Sequence, residues 1–284
     1  MMKKAPLIAA ILVSICAQVH PANNTVTGVD WKKGVVTAFG ESEIRFDGQG
    51  TPVDPEIMEK STLNRARLDS YRKAREMALQ GLSKSLKTIR VDAEKTLRVL
   101  IKDEVETQER LFDIIDKKAR VYEYPLDFHR SGCRAELKIG DIISAIPFRY
   151  PSNEFPSMDD NPIPTRYTGL IIDARGLGIK PMIFPSVYNE NGLEIYGRQY
   201  IDVRTAAYRG TVAYVSDEKE AMKNKKAGDR PFYTAAIREL NGCPVISYKA
   251  MKRMYSHRDN LESLKKCNVV IIVDRDRILK SGHR

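Results

Sequence analysis

The sequence predicts an α+β N-terminal domain followed by an α/β C-terminal domain with a mixed sheet, and three observations carry that prediction. Two continuous apolar runs, Leu170-Ile171-Ile172 and Val269-Val270-Ile271-Ile272-Val273, each end in an aspartate, Asp173 and Asp274. Runs of that length and composition are strands buried on both faces, which places the pair in the middle of one sheet. Upstream, residues 61–120 carry apolar side chains at helical spacing, flanked on both sides by short β-rich stretches. Between the two parts, Pro147 to Pro164 is rich in proline, holds Asp159-Asp160 and shows no apolar periodicity, so it reads as a linker. The expected boundaries are 1–22 for a leader, 23–146 for the first domain, 147–165 for the linker, 166–276 for the second domain and 277–284 for a basic tail.

Lys3 and Lys4 precede an apolar stretch from Ala5 to Val19, and polar residues follow from His20. A positive start, a short apolar core and small residues at Ala17 and Ala22 describe a secretory signal, since a membrane span needs ~20 apolar residues. Cys16 raises the alternative of a lipid anchor, but Ile15 stands where a lipobox wants a small residue. The mature chain is therefore expected outside the cytoplasmic membrane, periplasmic or associated with the outer membrane.

Gly34 to Phe39 and Ile44 to Phe46 read as β structure, with Gly48 to Pro52 a loop. A helix begins near Ser61 or Thr62, with Tyr71, Ala74, Ala78, Leu82, Leu86 and Ile89 along one face. Asp92 is the expected cap of a second helix, whose buried stripe is Leu97, Leu100, Ile101, Val105, Leu111, Ile114 and Ile115. Val121 to Phe128 and Cys133 to Ile139 complete the first domain as a strand pair. In the second domain, the strand at Leu170 leads through Arg175-Gly176-Leu177-Gly178 to the run Met182 to Tyr188, and Asn189-Glu190-Asn191-Gly192 turns the chain into Leu193 to Tyr196. A helix over Tyr200 to Tyr208, strands at Val212 to Val215, Phe232 to Ile237 and Pro244 to Ser247, and helices through Met254 and over Leu261 to Lys266 precede the terminal strand. Asp217 is expected to cap the turn Glu218 to Met222.

The net charge of +10 is concentrated after residue 150, where 22 basic side chains face 16 acidic ones. A basic balance suits an anionic surface or polymer; for an exported chain the partners are envelope components, and nucleic acid is not expected. Lys223, Lys225 and Lys226 form the densest cluster and read as a solvated loop. Catalytic constellations are sparse. His20, His129, His257 and His283 have no ligand spacing to one another, and no Gly-x-Ser-x-Gly elbow is present. Arg175 to Gly178 follows a strand but lacks the third glycine and the lysine-serine pair of a phosphate loop. No cofactor and no metal are expected. Asp173, Arg175 and Asp274 remain as ligand candidates, because two neighbouring carboxylates could share a proton or hold a cation. Strand-end aspartates also cap turns, and that is the competing structural reading.

Thr168 to Gly176, with Lys180-Pro181, Phe184-Pro185, Glu194 to Gly197, Gly228 to Pro231 and Cys267 to Asp274, resembles the exported bacterial family of small 20-kDa outer-membrane lipoproteins. The helix with Ala66, Ala74 and Ala78, followed by Ile89 to Asp92, resembles the N-terminal part of the flagellar accessory proteins FlgP and FlgT. The resemblance implies a non-enzymatic structural or assembly component of the cell envelope, acting through protein–protein contacts. A flagellum-associated role, homo-oligomers or rings, and peripheral membrane association belong to the same expectation. The alternative is an envelope enzyme or small-ligand binder using the strand-end carboxylates; a concave pocket holding both aspartates would favour it, and burial of both in turns would favour the first. Finally, Cys243 and Cys267 each precede a strand and are separated by a helical crossover, which predicts adjacent parallel strands and a disulfide in an oxidising compartment.

Overall fold

The computed structural model describes residues 27–54, 59–147, 154–156 and 163–278. The expected leader with Cys16, most of the linker and most of the basic tail lie outside the described residues. The N-terminal unit is α+β and the C-terminal unit is α/β with a mixed seven-stranded sheet.

In the first unit, β1 (Gly28–Asp30) and β2 (Val35–Glu43) form a hairpin, and α1 (Leu63–Lys87) lies across the sheet that β2 begins. Thr62 caps α1, its side-chain oxygen accepting from the Arg65 N–H at 3.3 Å. Two shorter helices follow, α2 (Leu97–Asp103) and α3 (Val105–Lys118), then β3 (Arg120–Pro125), β4 (Arg130–Lys138) and α4 (Ile139–Ala145). The sheet order is β1-β2-β4-β3, antiparallel throughout. Val36, Ala38 and Gly40 on β2 pair with Leu137, Ala135 and Cys133 on β4, and this buried face receives α1. Small residues on the helix, Ala66, Ser70, Ala74 and Ala78, allow a very close approach. A Cβ at Gly40 would collide with the Ala74 carbonyl and the Ala78 amide nitrogen.

The single helix expected over residues 92–121 is two. Glu104 takes an extended conformation (φ −130°, ψ 102°), and this break resets the helical phase. Leu97, Leu100, Leu111 and Ile114 are buried as the spacing predicts, whereas Val105, the first residue after the break, is exposed. Asp92 caps a turn ahead of α2: its Oδ1 accepts from the amides of Glu94 and Lys95 at 2.9 and 2.7 Å.

The second unit contains β5 (Leu170–Asp173), β6 (Val187–Asn189), β7 (Glu194–Tyr196), a 3-10 turn at Arg198–Tyr200, α5 (Val203–Arg209), β8 (Ala213–Val215), α6 (Glu218–Lys223), β9 (Phe232–Leu240), β10 (Cys243–Ile246), α7 (Tyr248–Tyr255), α8 (Arg258–Lys265), β11 (Val269–Ile272) and α9 (Arg275–Ile278). The sheet order is β7-β6-β10-β9-β5-β11-β8. β5 is central and lies parallel to both β9 and β11, as the apolar runs predict. Alternate residues feed two cores. Ile171, Val270 and Ile272 pack with Ala221 and Ala227 on one face. Leu170, Ile172, Val269 and Ile271 face the other way, into a core continuous with that of the first unit.

That shared core makes the two units one packed body. Ile183 and Phe184 donate their amides to the carbonyls of Arg90 and Val91 at 2.9 and 2.7 Å. Residues Met182 to Phe184 are therefore not the strand their composition suggests; they run as a buried connector bonded to the other unit. Trp31 meets the edge of Tyr214 with ring centroids 5.7 Å apart. Gly140 on α4 sits so close to α5 that a Cβ would come within 2.5 Å of the Ala207 carbonyl oxygen. Phe155, from the linker region, stacks on Tyr200 at 4.8 Å.

Candidate functional site

Adjacent parallel strands bring Asp173 and Asp274 to the same end of the sheet, Asp173 opposite Ile272 and Asp274 two residues beyond. Each is then consumed locally. Asp173 accepts from the Arg175 amide at 3.3 Å and from its Nε at 2.8 Å, forms a second contact with the same guanidinium, and accepts from the Tyr233 hydroxyl at 2.9 Å. The Arg175 bonds hold its carboxyl down at about 2, with the Tyr233 hydroxyl adding to the effect against partial burial. Burial and the Asp173 charge push the Tyr233 phenol up to about 12. Asp274 accepts from the Gly176 amide at 2.9 Å. Gly176 and Gly178 both have positive φ (76° and 67°), the left-handed region that glycine enters at no steric cost. The two aspartates thus clamp the Arg175–Gly178 turn from neighbouring strands, and neither lines the interunit cleft described below. Among the described residues no cluster of histidine, cysteine, aspartate or glutamate could hold a metal ion.

The structure overturns the premise of the Cys243–Cys267 disulfide. β10 and β11 are separated by β9 and β5, and β10 runs antiparallel to β9 while β11, β5 and β9 run parallel. The two cysteines consequently lie two intervening strands apart and at opposite ends of the sheet. The physical reason is Asn241-Gly242, with φ of 53° and 80°, a two-residue hairpin turn that fixes β10 beside β9. Cys267 is not a strand residue but the left-handed residue closing α8: its amide bonds Leu264 O at 2.8 Å and the next amide, Asn268, bonds Ser263 O at 3.1 Å. Cys133, Cys243 and Cys267 are all free and buried. Burial pushes the Cys133 and Cys243 thiols up to about 11.

A cleft of about 510 Å³ lies between the two units. One wall is Trp31 to Val35 with Lys138 to Asp141; the other is Ala207 to Tyr214 with Asn224 and Lys226. Lys226, in that second wall, is only 7% exposed. The Lys226 ammonium donates to the carbonyls of Gly210 at 2.6 Å and Cys267 at 3.2 Å, where α5 and α8 end. Cations at helix C-termini are favourable, and that is what this lysine does structurally. Burial, reinforced by Arg209 nearby, nevertheless pulls it down to about 8. The reading of Lys223, Lys225 and Lys226 as one solvated loop therefore holds for Lys225; Lys223 is exposed but ends α6, and Lys226 is buried. Nothing in the sequence distinguished it, because a buried lysine in a charged turn looks like its neighbours.

The other feature is the edge strand β3, paired only on its β4 side. None of its residues is buried. On the sheet face away from α1, Arg134 lies over the Tyr122 ring at 4.6 Å, with Phe39 opposite Arg134 on β2. Tyr124 covers Gly132, where a Cβ would come within 2.8 Å of its Cζ. An aromatic–arginine stripe thus runs to the free edge. No curated protein matches this chain. Over residues 169–275, which span the C-terminal unit from β5 to the start of α9, the sequence matches the family model described as Treponema pallidum Tp0624, second domain.

Proposed function

We propose that this protein is a non-enzymatic structural or assembly component of the bacterial cell envelope, and that it associates with a second copy of itself through β3. The observation that carries the reading is the edge itself: a six-residue strand paired on one side only, with none of its residues buried. Strand addition to such an edge is a common mode of recognition. The strand is also self-complementary. Antiparallel pairing of two copies centred on Tyr122 sets Tyr122 against its own counterpart and Arg120 against Tyr124 twice. All of these residues lie on one face, so the aromatic–arginine stripe continues from one copy into the next. Opposed aromatic and cation–aromatic pairs each contribute about 0.2–1 kcal/mol, and the symmetric contact closes as a pair. The signal-like N-terminus, the resemblance to exported envelope families and the match to a domain of a Treponema protein support the compartment. The strand-end aspartates, engaged in turns, give the enzyme or ligand-binding alternative no support.

Engineered cross-linking tests the pairing. At the centre of the two-fold, Tyr122→Cys would place two sulfurs within disulfide reach, since opposed Cα atoms sit about 4.5–5.5 Å apart. The three described native cysteines are buried and do not compete. A covalent dimer under mild oxidation is expected from Tyr122→Cys and not from Phe112→Cys, an exposed position on α3. No dimer from Tyr122→Cys, or equal dimer from both, would count against the edge.

A further inference from the structure

We propose that the cleft between the two units binds a small dianionic oxyanion, phosphate or dicarboxylate, through Lys226, Arg209 and Lys138. This does not depend on the assembly reading, because the cleft and β3 use different residues.

The charge balance of the walls carries the argument. Five cationic side chains line the cleft: Lys32, Lys33, Lys138, Arg209 and Lys226. Lys32 is matched by Glu220 and Lys33 by Asp30, while Asp141, the cleft's carboxylate, is engaged by Lys118 at 3.1 Å. Among the described residues no carboxylate pairs with Lys138, Arg209 or Lys226. Arg209 spends one nitrogen on the neutral Asn268 side chain at 3.1 Å. Lys226 spends two of its three donors on the carbonyls of Gly210 and Cys267, which leaves a third donor of a buried ammonium without a protein acceptor. A desolvated cation of this kind costs free energy unless a counter-charge reaches it. Among the described residues no carboxylate supplies one, and Lys226 and its acceptor Gly210 both line the cleft.

The size and texture of the cleft define the ligand further. A volume of about 510 Å³ is that of a small-molecule site. Trp31 and Tyr214 give it an apolar side, and Tyr208 stands at the rim with 90% of its surface exposed. Three unmatched positive charges favour two negative charges over one, and guanidinium and ammonium donors favour oxygen acceptors. The cleft also joins both units, so an occupant would link them and stabilise the folded body by mass action.

The test uses Trp31, the single tryptophan of the chain, as a reporter inside the cleft. The purified protein would be titrated with inorganic phosphate and, separately, with succinate at constant ionic strength set by chloride, following Trp31 emission and, in parallel, calorimetric heat. A saturable response to either anion is expected, and which one responds identifies the oxyanion class. Arg209→Gln leaves the internal bonds of Lys226 intact and is expected to weaken that binding roughly tenfold, as loss of a charged hydrogen-bond partner does. Lys225→Gln, an exposed neighbour outside the cleft, should leave it unchanged. No saturable heat or emission change with either anion would overturn the proposal. So would equal weakening by Arg209→Gln and Lys225→Gln, which would make the response a property of net charge.

Discussion

Asp173→Asn separates a structural from a ligand-binding role for the strand-end carboxylates. The Asp173 side chain is 18% exposed and ion-paired with Arg175. Its carboxyl is held at about 2 in place of its ordinary 3.8, chiefly by the Arg175 bonds. A lowering of that size corresponds to about 2 kcal/mol of folding stability at neutral pH, and screening at its outward edge reduces the expectation to about 1–2 kcal/mol. The sign follows from the direction of the shift. A carboxyl with a depressed folded pKa gives stability that is complete above its unfolded pKa and is lost as pH falls through the folded one. Asn keeps the shape and one acceptor but removes the charge. Urea unfolding at neutral pH should therefore show the Asn protein less stable by about 1–2 kcal/mol. The gap should narrow as pH is lowered from about 4 towards 2, as the wild-type carboxylate takes up its proton. An Asn protein equally or more stable than wild type at neutral pH would refute the reasoning, since neutralising a functional, unsatisfied carboxylate commonly stabilises. A gap that widens in acid would refute it as well.

Two further expectations rest on packing and cysteine chemistry. Gly40→Ala forces a methyl group into the backbone of α1 at Ala74 and Ala78, neither of which is a flexible side chain, and should cost about 3 kcal/mol in urea unfolding; a loss below about 0.5 kcal/mol would show that α1 can shift away from β2. Cys133, Cys243 and Cys267 should be recovered as thiols by mass spectrometry of unreduced protein from its native compartment, resistant to alkylation until the chain is unfolded; a peptide linking Cys243 to Cys267 would contradict the strand order.

Much of the fold was legible because its signals are local. The Leu170 and Val269 runs announced central strands, the Ala74–Ala78–Leu82 face announced α1, and Thr62 and Asp217 sit as caps where short polar residues accept the N-terminal amides of α1 and α6. The Asp202 cap of α5, which starts the helix at Val203 and not at Tyr200, went unread. Strand order was legible only where turn chemistry was read. Asn241-Gly242 fixes β10 beside β9, and overlooking that dipeptide produced the false proximity of Cys243 and Cys267. The helix break at Glu104 left no mark in composition, since neither glycine nor proline is involved. Site features divided in the same way. Asp173 and Asp274 stood out by position at strand ends; the role of Asp173 depends on Arg175 two residues away, whereas that of Asp274 depends on Gly176, 98 residues away on the neighbouring strand's turn. The cleft did not stand out, because Trp31, Lys138, Arg209 and Lys226 come from four separate stretches that only the shared core brings together.

Self-association through β3 is tested most directly by sedimentation equilibrium of the wild-type protein beside Tyr122→Lys, with thermal unfolding as a check on each fold. Lysine at this position loses the contact with Arg134 and faces it across β3–β4, which should cost the monomer about 1 kcal/mol, a loss that thermal unfolding reads separately from association. In the self-paired strand it would set two ammonium groups directly opposite one another, which is destabilising. The account predicts a concentration-dependent mass reaching at least twice that of the purified chain for wild type and a monomer for Tyr122→Lys. A wild-type monomer at every concentration, or an assembly of the same size and strength in Tyr122→Lys, would contradict it.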